Sequence, residues 1–288
     1  MIYKKVFIEV VKYAIVIACG WFIYQQFSAS GFQLPEIRFQ NFMPVVLLVF
    51  MMMPVNWYLE AWRWKMAVPF ESISIWDACR VVLRGLALNM VVPMTVGDLG
   101  SRLVDAKNRP MSLVSLGFSR LTLSLVTVIF GGASVLFYFG LDSMLLNIAC
   151  LFIVLIVLLL LLTFRKSLFN VSLEFLTSQL AGQIFLLTLI RYAVFTTQFY
   201  LLISYFNPYL SFLVVLMGIG WIFLFRSIIP SVLGSIGVRE ASSIIFFQNY
   251  VTDLNLIVFP CLLIWLINTI LPAILGLISV INFRFKIA

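Results

Sequence analysis

The stretch CLFIVLIVLLLLLTF, Cys150–Phe164, carries no charge and no period-two alternation of apolar with polar residues. Lipid admits only structures that satisfy their own backbone hydrogen bonds, which leaves helices and closed barrels. Barrel strands alternate over about ten residues; a continuous apolar run therefore commits the chain to helices. Comparable runs occupy Val6–Phe27, Phe42–Trp62, Leu113–Phe139, Leu145–Phe164, Gly182–Phe206 and Val258–Ile281, each near the roughly 20 residues that cross the hydrocarbon core. Hydrophobic residues make up 63% of the chain and charged residues 10%, against about 25% charged in soluble domains. The expected fold is an all-α polytopic membrane protein forming a single integral membrane domain. Glu9 and Lys12 interrupt the apolar N-terminal run and no small-residue cleavage site follows, so an uncleaved first span is expected.

Two segments break this pattern. Ser74–Asn108 and Tyr209–Asp253 are apolar in pieces, with proline and glycine at their middles. Basic pairs at Lys4/Lys5, Arg63/Lys65, Lys107/Arg109, Arg165/Lys166 and Arg284/Lys286 favour the cytoplasmic side. With all of them inside, each broken segment must begin and end on one face. The expectation is six full spans plus two re-entrant helical hairpins that enter from opposite faces, with both termini cytoplasmic. Charge alone leaves open whether the second segment is re-entrant or crosses twice.

The broken segments share a pattern. PMTVGDLGSR (Pro93–Arg102) and PSVLGSIGVR (Pro230–Arg239) are both P-x-x-x-G-x-x-G-x-R, 137 residues apart. The same offset maps the spans of residues 1–140 onto those of 141–288. Each half then contains an odd number of crossings, which inverts the second copy, a plan found in transporters with broken helices near the midplane. Pro93 and Pro230 would end one arm by removing a backbone donor. Gly97, Gly100, Gly234 and Gly237 would permit a sharp turn or close ligand approach, with Asp98 and Ser235 as N-caps of the second arm.

A helix N-terminus attracts anions, and an arginine there adds a bidentate phosphate donor. Arg102 and Arg239 stand at those positions. Arg84, Arg120, Arg191 and Arg226 also lie in apolar sequence, where a charge costs at least about 2.5–3.5 kcal/mol without a partner or a function. The deep acids are Asp98, Asp105 and Glu240; Asp98 can pair with Arg102 at i,i+4, and Asp105 with Arg102 at i,i+3. Either these charges satisfy one another, or the surplus of arginine takes a phosphate-bearing ligand such as a lipid headgroup. Asn89 is expected to cap or hydrogen-bond within the first hairpin. NWYLEAWRWK (Asn56–Lys65) reads as an interfacial aromatic anchor, with Glu60 a weak candidate for a proton or ion site. The chain has no histidine, and its four cysteines (Cys19, Cys79, Cys150 and Cys261) form no C-x-x-C. This removes Ser-His-Asp and Cys-His catalysis and the commonest metal ligand. No metal, cofactor or catalytic residue is expected.

RGLALNMVVPMTVGDLGSRL and FRSIIPSVLGSIGVREAS resemble the two signature stretches of the lysylphosphatidylglycerol synthase transmembrane-region family. Asn89, Pro93, Gly97, Asp98 and Arg102 match the first, with Asp where Glu is usual. Pro230, Gly234, Gly237, Arg239 and Glu240 match the second, and Ser119–Leu121 and Ile190–Tyr192 also fit. The resemblance implies a flippase-like membrane domain, like that of the multiple peptide resistance factor without its synthase domain, so aminoacyl transfer is not expected. The expected function is movement of an anionic lipid, a phospholipid or a polyprenyl-phosphate-linked glycolipid, in a prokaryotic inner membrane, with no nucleic-acid partner. Two alternatives remain. One is a non-catalytic partner of an envelope glycosyltransferase or lipid-modifying complex, or a homo-oligomer. The other is a lipid-diphosphate phosphatase, echoed by Gly100–Arg102 but without the glutamate cluster such enzymes use for metal.

Overall fold

The computed structural model describes residues 39–91, 96–140, 177–229 and 237–287, together with residues 21, 24, 37 and 235. The expected span Val6–Phe27, apart from Trp21 and Tyr24, the span Leu145–Phe164, and the breakers Pro93, Pro230 and Gly234 lie outside the described residues.

The described residues are helical, with no strand among them. In chain order they form α1 (Phe39–Ala67), α2 (Ile75–Val91), α3 (Val96–Val104), α4 (Arg109–Phe139), α5 (Ser178–Phe206), α6 (Phe212–Ile228), α7 (Val238–Phe247), α8 (Asn255–Trp265) and α9 (Leu271–Ile287). α8 and α9 are joined by a π-helical turn, Leu266–Ile270, in which the Leu271 N–H reaches back to the Leu266 carbonyl. Pro272 follows immediately. A proline cannot donate to the carbonyl four residues earlier and crowds it, and the widened turn relieves that conflict. Four helical stretches are long and apolar enough to cross a membrane: Phe39–Ala67, Arg109–Phe139, Ser178–Phe206 and Asn255–Ser279. They coincide with four of the expected spans, and the chain is an integral membrane protein.

α1 shows how lipid reverses the usual sidedness of a helix. Leu48, Met51, Val55, Tyr58 and Trp62 are exposed, while Val49, Met53, Asn56, Glu60, Arg63 and Ala67 are buried. Both sets step by three and four residues, the spacing of one helical face. The apolar stripe therefore faces outward and the polar stripe faces the protein, as the cost of ionisable groups in lipid requires.

The other ends and turns are set locally. Ser74 Oγ accepts the Asp77 N–H at 3.1 Å and opens α2. Asn108 Oδ1 accepts the Met111 N–H at 3.2 Å and opens α4, and Thr177 Oγ1 accepts from Leu180 at 3.2 Å to open α5. The buried Glu71 ties the α1–α2 connection to the start of α4 by accepting the Asn108 N–H at 2.9 Å.

α2 and α6 each have 17 residues, and α3 and α7 have 9 and 10. At about 1.5 Å per residue the second arms are only about 14–15 Å long, half the hydrocarbon thickness. α3 packs back on α2, and α7 on α6. Across the molecule α2 packs on α9, α6 packs on α4, and α1 packs on α5.

Close approach in the first hairpin depends on glycine. A Cβ on Gly97 would lie 2.5 Å from the Leu88 carbonyl carbon and 2.7 Å from the Asn89 nitrogen, and one on Gly85 would lie 3.0 Å from Asp98 Cα. Gly97 is thus a packing residue between the arms, where the sequence suggested a ligand approach. Gly97→Ala forces the arms apart and is expected to cost about 1–3 kcal/mol, read as a lower unfolding temperature in detergent. Gly100→Ala meets nothing within 4 Å among the described residues and is expected to leave that temperature unchanged.

Candidate functional site

The buried polar stripe of α1 meets the second arm of the first hairpin. Glu60, 4% exposed, is the centre of the contact. Its Oε1 accepts Arg102 Nη2 from α3 at 2.7 Å. Its Oε2 lies 2.7 Å from Arg63 Nη2, one turn along α1, and 3.1 Å from Arg191 Nη1 of α5. Asp98 makes a second centre: Oδ1 accepts Arg102 Nε at 2.9 Å, and Oδ2 pairs with Arg120 of α4. Arg102 therefore bridges both carboxylates, and its guanidinium stacks on Trp64 at 5.1 Å. Arg191 stacks similarly on Trp57 at 5.3 Å. Arg63 Nη1 also reaches the Ser119 carbonyl and Thr188 Oγ1, each at 3.2 Å, so one side chain joins α1, α4 and α5.

Among the described residues four guanidinium groups here face two carboxylates, a surplus of two positive charges, with Arg63, Arg102 and Arg191 largely buried and Arg120 partly exposed. The donors are not exhausted. Arg63 Nε, Arg102 Nη1 and Arg191 Nε are buried and have no hydrogen-bond partner among the described residues. Buried donors of this kind are costly unless something accepts from them, and bidentate guanidinium donors suit the oxygens of phosphate.

The expected site residues divide. Arg102, Arg120, Arg191 and Asp98 come together in this cluster. Arg84 does not: its Nε donates to Ser101 Oγ at 3.0 Å and its Nη2 to the Ser101 carbonyl at 2.8 Å and to Asp105. It clamps α2 to α3. Asp105, expected to pair with Arg102, is taken by Arg84 because the hairpin brings α2 alongside. Asp98 is not the N-cap of α3. It lies inside the helix with its carboxylate committed to arginines, and Asn89 Oδ1 caps instead, accepting the Asp98 N–H at 3.0 Å. Ser235 is not the cap of α7, which begins later, at Val238; Glu240 Oε2 accepts the Gly237 N–H at 2.7 Å, where Gly237 takes φ 86°. Arg239 is 1% exposed and donates to the Cys261 carbonyl at 3.3 Å, fixing α7 to α8. Arg226, at the end of α6, makes no hydrogen bond or ion pair among the described residues. It lies within electrostatic range of Arg239, Arg191 and Glu240.

Glu60 and Arg63 were undervalued from sequence. Arg63 was counted as a cytoplasmic charge but is 2% exposed, because it is paired with Glu60 and drawn into the core. NWYLEAWRWK has only one outward face: Tyr58 and Trp62 are exposed, while Asn56, Glu60, Arg63 and Trp64 are buried. The signal available in the sequence was phase: Asn56, Glu60 and Arg63 recur at four and three residues.

No curated protein matches this chain. The family described as "Lysylphosphatidylglycerol synthase TM region" matches residues 10–276, which include the described hairpins and every residue of the arginine–carboxylate cluster. The chain belongs to the lysylphosphatidylglycerol synthase transmembrane-region family.

Proposed function

We propose that this protein is a lipid flippase-type transporter that holds an anionic, phosphate-bearing headgroup between two re-entrant hairpins, α2/α3 and α6/α7. The observation that carries this reading is the surplus of guanidinium around Glu60 and Asp98 among the described residues, with three buried arginine nitrogens lacking a partner there. In the unliganded protein the two carboxylates stand in for the phosphate. An arriving headgroup takes the free donors first and then competes with Glu60 and Asp98 for Arg102. Arg191 and Arg226 carry the positive field on toward Arg239, while the acyl chains stay in lipid.

An inverted repeat supports the alternating access such transport needs. α2 and α6 are equal in length and begin 137 residues apart, at Ile75 and Phe212. The last helix of each half packs on the first hairpin arm of the other half, and α1 pairs with its counterpart α5. The short second arms favour re-entrant hairpins over double crossings. Exposed Lys65, Lys107 and Arg109 support a cytoplasmic face at the end of α1 and the start of α4, consistent with a prokaryotic inner membrane.

The test is translocation of a fluorescent anionic phospholipid in proteoliposomes, read by quenching of the outer leaflet. Wild-type protein is expected to accelerate exchange at least tenfold over empty liposomes, and Arg102→Ala and Arg239→Ala are each expected to remove the acceleration. Undiminished exchange in both variants refutes the site.

A further inference from the structure

The α1–α5 seam holds a second group of polar side chains that the charged cluster does not use. Three contacts fix its register. Arg63 meets Thr188, Glu60 meets Arg191, and Gln198 Nε2 donates to the Val49 carbonyl at 2.8 Å. As numbers rise along α1 they fall along α5, so the helices are antiparallel. The polar seam runs from Arg63 to Val49, about 21 Å at 1.5 Å per residue. At its far end Gln198 Oε1 accepts Asn268 Nδ2 at 3.0 Å, and Asn268 lies in the π-helical turn between α8 and α9. Asn56 lies between the Arg191 and Gln198 levels.

These amides are buried and incompletely paired. Among the described residues neither Oδ1 nor Nδ2 of Asn56, 0% exposed, has a hydrogen-bond partner, and neither does Oδ1 of Asn268, 1% exposed. An uncharged amide offers one acceptor and two donors, which match the combined donor and acceptor character of a hydroxyl group. It offers no carboxylate to an ammonium group. Asn56 stands one turn from Glu60, about 6 Å along the same face, the reach from a phosphodiester to hydroxyls on the attached carbon skeleton. Buried amides without partners raise the cost of packing α1 against α5.

We infer that Asn56, with Asn268 and Gln198 beyond it, forms an uncharged subsite for the hydroxyl-bearing part of the headgroup, a polyol or sugar attached to the phosphate. This rests on the anion-site reading given under Proposed function, with the phosphate on Arg102, Arg63 and Arg191. The headgroup is then selected twice, for negative charge at the arginines and for hydroxyls along the seam.

The experiment compares two lipids of equal charge, phosphatidylinositol and phosphatidylmethanol, titrated into purified full-length protein in neutral detergent. The proteins are wild type, Asn56→Leu and Arg102→Ala. Wild type is expected to bind phosphatidylinositol about tenfold more tightly, the effect of one or two hydrogen bonds. Asn56→Leu is expected to erase that preference and retain phosphatidylmethanol binding, and Arg102→Ala to weaken both lipids together. Leucine removes two unpaired polar atoms and no hydrogen bond seen among the described residues, so the variant is expected to unfold no earlier than wild type. Equal binding of the two lipids by wild type, with Arg102 still required, shows that the seam holds water only and overturns the subsite while leaving the anion site standing. A preference that survives in Asn56→Leu also overturns it. Binding of neither lipid by wild type refutes the anion site and the subsite together.

Discussion

Glu60→Gln is expected to lower the stability of the protein by about 3–5 kcal/mol, the cost of leaving buried charge without its partner. Guanidinium groups from α1, α3 and α5 converge on this one carboxylate. Glutamine keeps the shape but removes the charge, and the amide group turns one acceptor into a donor that faces cations. The unfolding temperature in detergent, followed by tryptophan fluorescence, is expected to fall by roughly 10 °C. Added anionic phospholipid is expected to raise that temperature more in Glu60→Gln than in wild type, because its phosphate supplies the missing charge. Equal temperatures for the two proteins would show that the three arginines do not depend on Glu60.

Arg102→Lys is the second large effect. Lysine keeps the charge but not the fork, so it cannot hold Glu60 through Nη2 and Asp98 through Nε together, nor stack flat on Trp64. A loss of about 2–5 kcal/mol is expected from the carboxylate left unpaired, with lipid exchange in proteoliposomes falling at least tenfold. Arg84→Lys is the control. Its acidic partner Asp105 is 43% exposed and solvent screens that pair, so what is lost is mainly a hydrogen bond to Ser101, a cost of about 1–2 kcal/mol with lipid exchange retained. If the two lysine variants behave alike, the bridging role of Arg102 is wrong.

Four of the six expected spans, and the interruptions between α2 and α3 and between α6 and α7, were legible in the sequence because they depend on local composition: long apolar runs, then proline and glycine. The i,i+4 pair of Asp98 with Arg102 was legible for the same reason. Arg84 with Asp105 was not, because the two are 21 residues apart and meet only once α3 folds back on α2. Glu60 and Arg63 were obscured by their neighbours. Tryptophans and a tyrosine around them suggest a membrane interface, yet helical phase sends alternate members of that cluster to opposite faces. Gly97 was read through its freedom to turn, when what fixes it is the absence of a side chain against Leu88.

The arrangement of charge on α1 bears on how the chain enters the bilayer during synthesis. Asn56, Glu60 and Arg63 make this a poorer stop in a translocation channel than a wholly apolar helix, since polar and ionised residues in a span raise the cost of insertion. Their partners arrive late: Arg102 is 42 residues beyond Glu60, and Thr188 is 125 beyond Arg63. The pair formed by Glu60 and Arg63 needs no later segment, because both lie on one turn of the same helix. It lets α1 partition as a nearly neutral dipole and wait. Once α3 and α5 emerge, their arginines convert that dipole into a docking point, so the same carboxylate that supports early insertion also draws the later helices into place.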